Sequence, residues 1–179
     1  MSKITKPIKA WWFGGDALPH GDGRKVAVGV VHEVEPPVRA CHNGLHASRR
    51  VLDALNYSAT PQIWRVEVWG ELDRQADKVA AQFRRYLWGL DYETSTNILR
   101  RFACRCALDV LPEGGDPCVR EYLLMADKAT DAQRSAARSA ARSAARDAAR
   151  DAARCAAWLR QNRRLTAMLA AEHRRQSNG

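Results

Sequence analysis

Hydrophobic positions follow two different periods along the chain, mixed up to about residue 90 and wholly helical beyond it. KAWWFGG (9–15) is a short aromatic run closed by glycines and predicts an opening strand. DALPHGDGR (16–24) has the Gly, Pro and Asp content of a loop. KVAVGVVHEVE (25–35) is valine-rich and predicts a second strand, stopped by Pro36-Pro37. VRACHNGLHASRRVLDALNYS (38–58) begins extended, turns at Asn43-Gly44 and becomes helical near Ser48, with Val51, Leu52 and Leu55 on one face. PQIWRVEVWGELD (61–73) sets Trp64, Val66 and Val68 against Arg65 and Glu67, the period of two of a half-buried strand. Over 74–89 the spacing of Val79, Phe83, Tyr86, Leu87 and Leu90 is i, i+4, i+7, i+8, i+11, which predicts a helix.

Beyond Asp91 the pattern is wholly helical. TSTNILRRFACRCALDVL (94–111) places Leu99, Phe102, Ala103, Cys106 and Val110 on one stripe behind a Ser/Thr cap cluster. PEGGDP (112–117) breaks it, and CVREYLLMAD (118–127) forms a shorter stripe of Val119, Tyr122, Leu123 and Ala126. Thr130 and Gln133 read as a capping box for a last helix over about 131–175, roughly 65 Å long. The expected fold is α+β: a small N-terminal sheet with two helices over 1–90, then an all-α part over 91–179 with one long Ala/Arg-rich helix.

That last helix carries SAARSAARSAARDAARDAARCAAW (135–158), one four-residue unit repeated and then broken at Cys155. Alanine has no side-chain entropy to lose, so the repeat favours helix. A four-residue period advances about 40° per repeat on a 3.6-residue turn, so no straight coiled-coil seam forms. Arg134, Arg138, Arg142, Arg146, Arg150 and Arg154 are like-charged i, i+4 neighbours, each pair costing about 0.2–0.5 kcal/mol when exposed. Asp147 and Asp151 offset Arg150 and Arg154, whereas Arg134 to Arg146 have no such relief. This edge is either a solvated face or a docking edge for an acidic partner. After it, Trp158, Leu165, Met168 and Leu169 make an apolar stripe that anchors the helix on other helices or on a second copy of the chain, a homodimer.

Charge sharpens that choice. The 179 residues carry a net +9, unevenly: residues 1–120 hold 17 Lys/Arg against 14 Asp/Glu, residues 121–179 hold 12 against 6. A basic last third attracts acidic protein faces or nucleic acid. No run of 18 apolar residues exists and the first residues lack an apolar segment of signal-peptide length, so neither a membrane span nor export is expected. Five cysteines without an export signal point to reduced thiols in a cytoplasm.

Candidate chemistry is sparse. Cys41, His42 and His46 in CHNGLH could begin a zinc site, completed by Cys104, Cys106 or Cys118. Cys104 and Cys106 diverge by about 200° on a helix and no CxxC is present, so no metal is expected. Cys106 reads more simply as a small core residue. Cys41 could act as a nucleophile with His46 as its base. Gly14-Gly15 and GDG (21–23) do not make a phosphate loop, and no cofactor is expected. Trp11, Trp12, Trp64, Trp69 and Trp88 suit the core of a small sheet; exposed beside Arg84 and Arg85 they would stack bases.

KAWWF, CHNGLHAS with its helix ending in DALNYS, and WRVEVWGEL together resemble an uncharacterised domain family frequent in phage genomes, marked here by Gly44, Leu45, His46 and Ala47 before a short helix. RRFACRCALDVLP (100–112), the AAR-rich helix and QNRRLTAML (161–169) resemble an immunity-protein-like helical domain of phage and bacterial proteins. The resemblance implies a mobile-element accessory protein acting in the cytoplasm of a bacterium. The order strand, GLHAS, helix, VEVWGE also looks like the front half of ADP-ribosyltransferase folds, with His46 and Glu67 or Glu71 as stand-ins for the nicotinamide-binding and activating residues, although KAWWF lacks the usual first-strand Arg or His. The leading expectation is a non-catalytic phage protein that binds a bacterial host protein with an acidic face through Arg134–Arg154 and Trp158, inhibiting a defence system such as CRISPR. The alternatives are a nucleic-acid binder using the same arginines and a transferase-like enzyme.

Overall fold

The computed structural model describes residues 6–20, 22–58, 60–110, 117–124 and 154–178. Its class is α+β. The chain divides into two compact units, Met1–Thr96 with Met168–Gly179, and Asn97–Ala167.

The first unit holds a five-stranded antiparallel sheet. β1 (Ile8–Phe13), β4 (Ile63–Arg74), β5 (Val79–Leu90) and β2 (Val31–Glu33) lie side by side in that order, and β3 (Leu45–Ala47) also pairs with β5. The alternation read in 61–73 is real: Trp64, Val66 and Val68 enter the core while Arg65, Glu67 and Trp69 face the other side.

The segment expected to be a helix over 74–89 is instead the tail of β4, a turn closed by the Gln75 amide on the Lys78 carbonyl, and β5. The β4–β5 register has two irregularities. One leaves Leu87 unopposed between Tyr86 and Trp88, and the other opposes Gly70 and Glu71 with Gln82 alone. The first shifts the parity of inward-facing positions within β5, so its apolar residues lose strict alternation and fall on a helix-like spacing; the second does the same to β4. Gly70, at φ +84, has the left-handed backbone that its bulge requires.

β2 is shorter than the 25–35 run, because Gly29 turns the chain at φ +83 and donates its amide to the Tyr86 carbonyl. α1 (Val51–Asn56) buries Val51, Asp53 and Ala54, with Leu52 and Leu55 only half-buried; Arg50 donates to the Asp53 carboxylate at 2.7 Å.

α2 (Tyr92–Val110) is capped not by its Ser/Thr cluster but by Asp91, whose carboxylate accepts the Thr94 amide at 2.8 Å and the Thr94 hydroxyl at 2.9 Å. Its buried positions are Ser95, Ile98, Phe102 and Cys104, so the stripe is rotated from the one expected: Ala103 is exposed and Leu99 and Cys106 are half-buried. In the second unit Cys104 packs on Leu123 of α3 (Pro117–Leu124). The last helix, α4 (Arg154–Ser177), buries Asn162, Leu165 and Leu169 at i, i+3, i+7 and leaves Trp158 and Met168 half-buried. In the second unit Arg164 pairs with Asp109 at 2.6 Å. In the first, His173 stacks on Trp88 with centroids 4.3 Å apart. No helix among the described residues is long and apolar enough to cross a membrane.

Candidate functional site

The polar chemistry of the sheet unit converges on β5. Gly44 and β3 arrive against it through a close approach: a Cβ on Gly44 would sit 2.8 Å from the Ala80 Cβ, and its φ is +151. Only glycine meets both conditions. Leu45 is then buried, and the His46 carbonyl points to the Arg84 guanidinium, which donates to it from Nη1 at 2.8 Å.

Arg84 is 2% exposed, and no carboxylate lies within ion-pair distance of it among the described residues. Its Nε and Nη2 donate to the Tyr86 hydroxyl at 3.0 and 2.7 Å, and its plane covers Trp12 at 4.2 Å from the ring centroid. A guanidinium only donates, and a phenolic oxygen accepts twice. The Tyr86 hydroxyl is therefore filled as an acceptor and must donate its own proton, to His32 Nδ1 at 3.1 Å. His32 is thus a neutral ring with its proton on Nε2, which donates to the Lys25 carbonyl at 3.1 Å. Burial, followed by the charges of Arg24 and Arg84, holds the His32 pKa below its ordinary value, in agreement with that tautomer. Nearby, Arg24 forks onto Asp22 and holds that carboxyl at about 2.

The network locks β2, β3, β5 and the loop before β2 together. Chemically it is closed. Every buried side-chain polar atom among the described residues has a partner. Tyr86 is committed as a donor, and Arg84 is wedged between Trp12 and Tyr86. This is an anchoring network rather than a set of groups poised on a substrate.

A second cluster surrounds the 36–44 loop. Glu71 Oε1 accepts the Val38 amide and Asp73 Oδ2 the Ala40 amide, each at 2.8 Å. Cys41 has a left-handed φ of +67; its amide donates to His46 Nε2 at 3.0 Å, and Lys78 Nζ lies 3.1 Å from its Sγ. Burial, then Lys78 and Arg84, keep the His46 pKa low.

These positions bear on each residue singled out in the sequence. His46 Nε2 is occupied by the Cys41 backbone rather than its thiol, so the Cys41–His46 nucleophile and base pair is not assembled. Cys41 and His42 are exposed, and no three metal-ligating side chains come together among the described residues. Glu67 pairs with Arg85, and β5 pairs Glu67 with Arg85 but His46 with Ala80. The two are therefore five positions apart on β5, roughly 16 Å. Glu71 is spent on the Val38 amide. Trp11 and Trp64 are core, Trp69 stacks on Phe83, and Trp88 stacks on His173. Arg134, Arg138, Arg142, Arg146 and Arg150 lie outside the described residues; Arg154 opens α4.

Sequence reasoning passed over Arg84, Tyr86 and His32 as a unit. The signal was present as Arg-x-Tyr at strand spacing, but a helix over 74–89 places those two residues on different faces.

A protein-family model described as Domain of unknown function (DUF7666) matches residues 24–97, less than half of the 179-residue chain. That stretch contains the Gly44–Ala47 segment and the Arg84–Tyr86–His32 network. No curated protein and no solved structure matches the chain.

Proposed function

We propose that the chain is a non-catalytic accessory protein of a phage or other mobile element, acting in the cytoplasm of a bacterium, and that it binds a host protein through its basic C-terminal segment. One observation carries the reading: two thirds of the net positive charge resides in residues 121–179, where 12 Lys/Arg face 6 Asp/Glu. Two features of the described residues support it. Arg84, Tyr86, His32, Glu71 and Asp73 of the sheet unit are consumed by its own anchoring, in the buried network and the carboxylate-tied 36–44 loop. On α4, by contrast, Arg160, Arg163 and Arg174 are exposed and have no partner among the described residues.

The partner is a protein with an acidic face, and the arginine ladder supplies orientation and association rate while the half-buried Trp158 supplies apolar contact. Occlusion of a charged contact in a defence complex, CRISPR machinery among them, is the form of inhibition such a surface suits. Nucleic acid is the competing ligand of the same arginines.

The test uses the full chain as bait in bacterial lysate, with and without nuclease treatment, read by mass spectrometry. A protein partner survives nuclease unchanged. Loss of every captured protein after nuclease, together with retardation of random duplex DNA at low salt, replaces the protein partner with nucleic acid.

A further inference from the structure

Cys41 and Lys78 come from distant parts of the chain, and the fold holds their reactive atoms in contact. The sulfur is exposed and reduced, and Lys78 Nζ lies 3.1 Å from it. Neither partner is placed by chance of a long side chain. The Cys41 backbone is fixed by its amide bond to His46 Nε2 and by the paired Arg39–Asn43 backbone bonds at 2.7 and 2.9 Å. The Asn43 amide group braces the same loop on the Glu35 and Pro37 carbonyls. Lys78 sits at the end of the β4–β5 turn, its ammonium 4.5 Å over the Tyr57 ring, and the Tyr57 hydroxyl is held by Asp77. Cys41 is the one cysteine in the sequence of the first unit; Cys104, Cys106, Cys118 and Cys155 belong to the second. An oxidised Cys41 therefore has an amine in contact with it and no second thiol within its own unit.

We propose that Cys41 and Lys78 form an oxidant-triggered covalent cross-link, a sulfenamide between Sγ and Nζ, that staples the 36–44 loop to the β4–β5 turn. The oxidant is a hydroperoxide, hydrogen peroxide in the simplest case. The Cys41 sulfur, as thiolate, attacks a peroxide oxygen; the O–O bond breaks and the departing hydroxide takes a proton to become water. The sulfur has lost two electrons to the peroxide and is a sulfenic acid. Lys78 then releases a proton to solvent, and its nitrogen lone pair attacks the sulfur. The S–N bond forms, the S–O bond breaks, and the leaving hydroxide takes a second proton from nitrogen. The balance is one thiol, one amine and one peroxide giving one sulfenamide and two waters. A low-molecular-weight dithiol reverses it by attack on sulfur. The hydrogen bond that raises the Lys78 pKa is to the reduced sulfur, so oxidation removes the main cause of its extra basicity.

The full-length reduced protein is exposed to hydrogen peroxide, digested without reductant and analysed by mass spectrometry, alongside Lys78→Arg and Cys41→Ser. Lys78→Arg keeps the charge beside the sulfur but offers no nucleophilic amine, and the turn it occupies is exposed, so the variant folds. The expected result is a pair of peptides, one with Cys41 and one with Lys78, joined with the loss of two hydrogens. Dithiothreitol releases it, neither variant forms it, and Lys78→Arg carries Cys41 on to sulfinic acid faster than wild type does. The proposal is overturned if wild-type Cys41 stays unmodified, or reaches sulfinic acid unlinked at the rate of Lys78→Arg. A disulfide-linked dimer through Cys41, or a link to Lys78 heavier by one oxygen, equally overturns it.

Discussion

Replacing Tyr86 by Phe is the sharpest perturbation of the sheet unit, because one oxygen satisfies three partners. The change strips two N–H donors of a buried guanidinium of their acceptor and leaves His32 Nδ1 without a donor. Hydrogen bonds to charged groups contribute about 1.5–3 kcal/mol and neutral ones about 1 kcal/mol, and the terms overlap because they share an atom. Stranding a buried charge costs about 3–5 kcal/mol where it has been measured, so Tyr86→Phe is expected to cost about 3–4 kcal/mol. Arg84→Met behaves differently. It removes the charge together with its desolvation cost, and Tyr86 still donates to His32; the His46 carbonyl and the Tyr86 oxygen lose only bonds they accepted, and the net change is within about 1 kcal/mol of zero. In the Arg84→Met background, Tyr86→Phe then costs only the His32 bond, about 1 kcal/mol. Urea unfolding followed by tryptophan fluorescence reads this well, since five of the six tryptophans are in the sheet unit. The predicted coupling between the two sites is about 2–3 kcal/mol. Equal costs of Tyr86→Phe in both backgrounds, or an Arg84→Met variant as unstable as Tyr86→Phe, would show that the assigned donor directions are wrong.

Stability should fall with acid sooner than carboxylates alone predict. The folded pKa values of His32 and His46 lie below the ordinary 6.5, so the unfolded chain binds protons first as pH drops through that value. The loss runs from there down to the lowered values, at up to about 1.4 kcal/mol per pH unit for each ring, and thermal melts at pH 7, 6 and 5 measure it; a flat profile over that window refutes the neutral assignments. Gly44→Ala meets both the Ala80 contact and a disfavoured φ, and is expected to cost about 2 kcal/mol or more by urea unfolding. Asp91→Ala removes the cap of α2 and should cost about 1 kcal/mol, visible as a lower melting temperature in circular dichroism.

Some of this was legible from the residues. Strict alternation in 61–73 gave β4, the turn at Asn43-Gly44 was read as a turn without the strand approach it permits, and α2 and the described part of the last helix followed from their helical period. β5 was not legible, because the unopposed Leu87 shifts its parity and Val79, Phe83, Tyr86, Leu87 and Leu90 then fall on a helical spacing. The buried network was hidden with it, since Arg84 and Tyr86 share a face only if the segment is a strand. The Asp91 cap was obscured by three better-placed Ser/Thr residues in TSTN, which a register one turn earlier bypasses. The Cys41–Lys78 contact has no local signature, because the two residues meet only through the long-range pairing of β3 with β5.

Charge reversal in the arginine repeat tests the central claim most directly. Arg138, Arg142 and Arg146 are changed to Glu in the full chain, and Lys9, Arg39 and Arg74, exposed on the sheet unit, are changed to Glu in a charge-matched control. The account predicts that the repeat variant loses the captured host protein from nuclease-treated lysate while the control keeps it. Retention by the repeat variant, or equal loss from both, contradicts the assignment of the contact to the C-terminal segment.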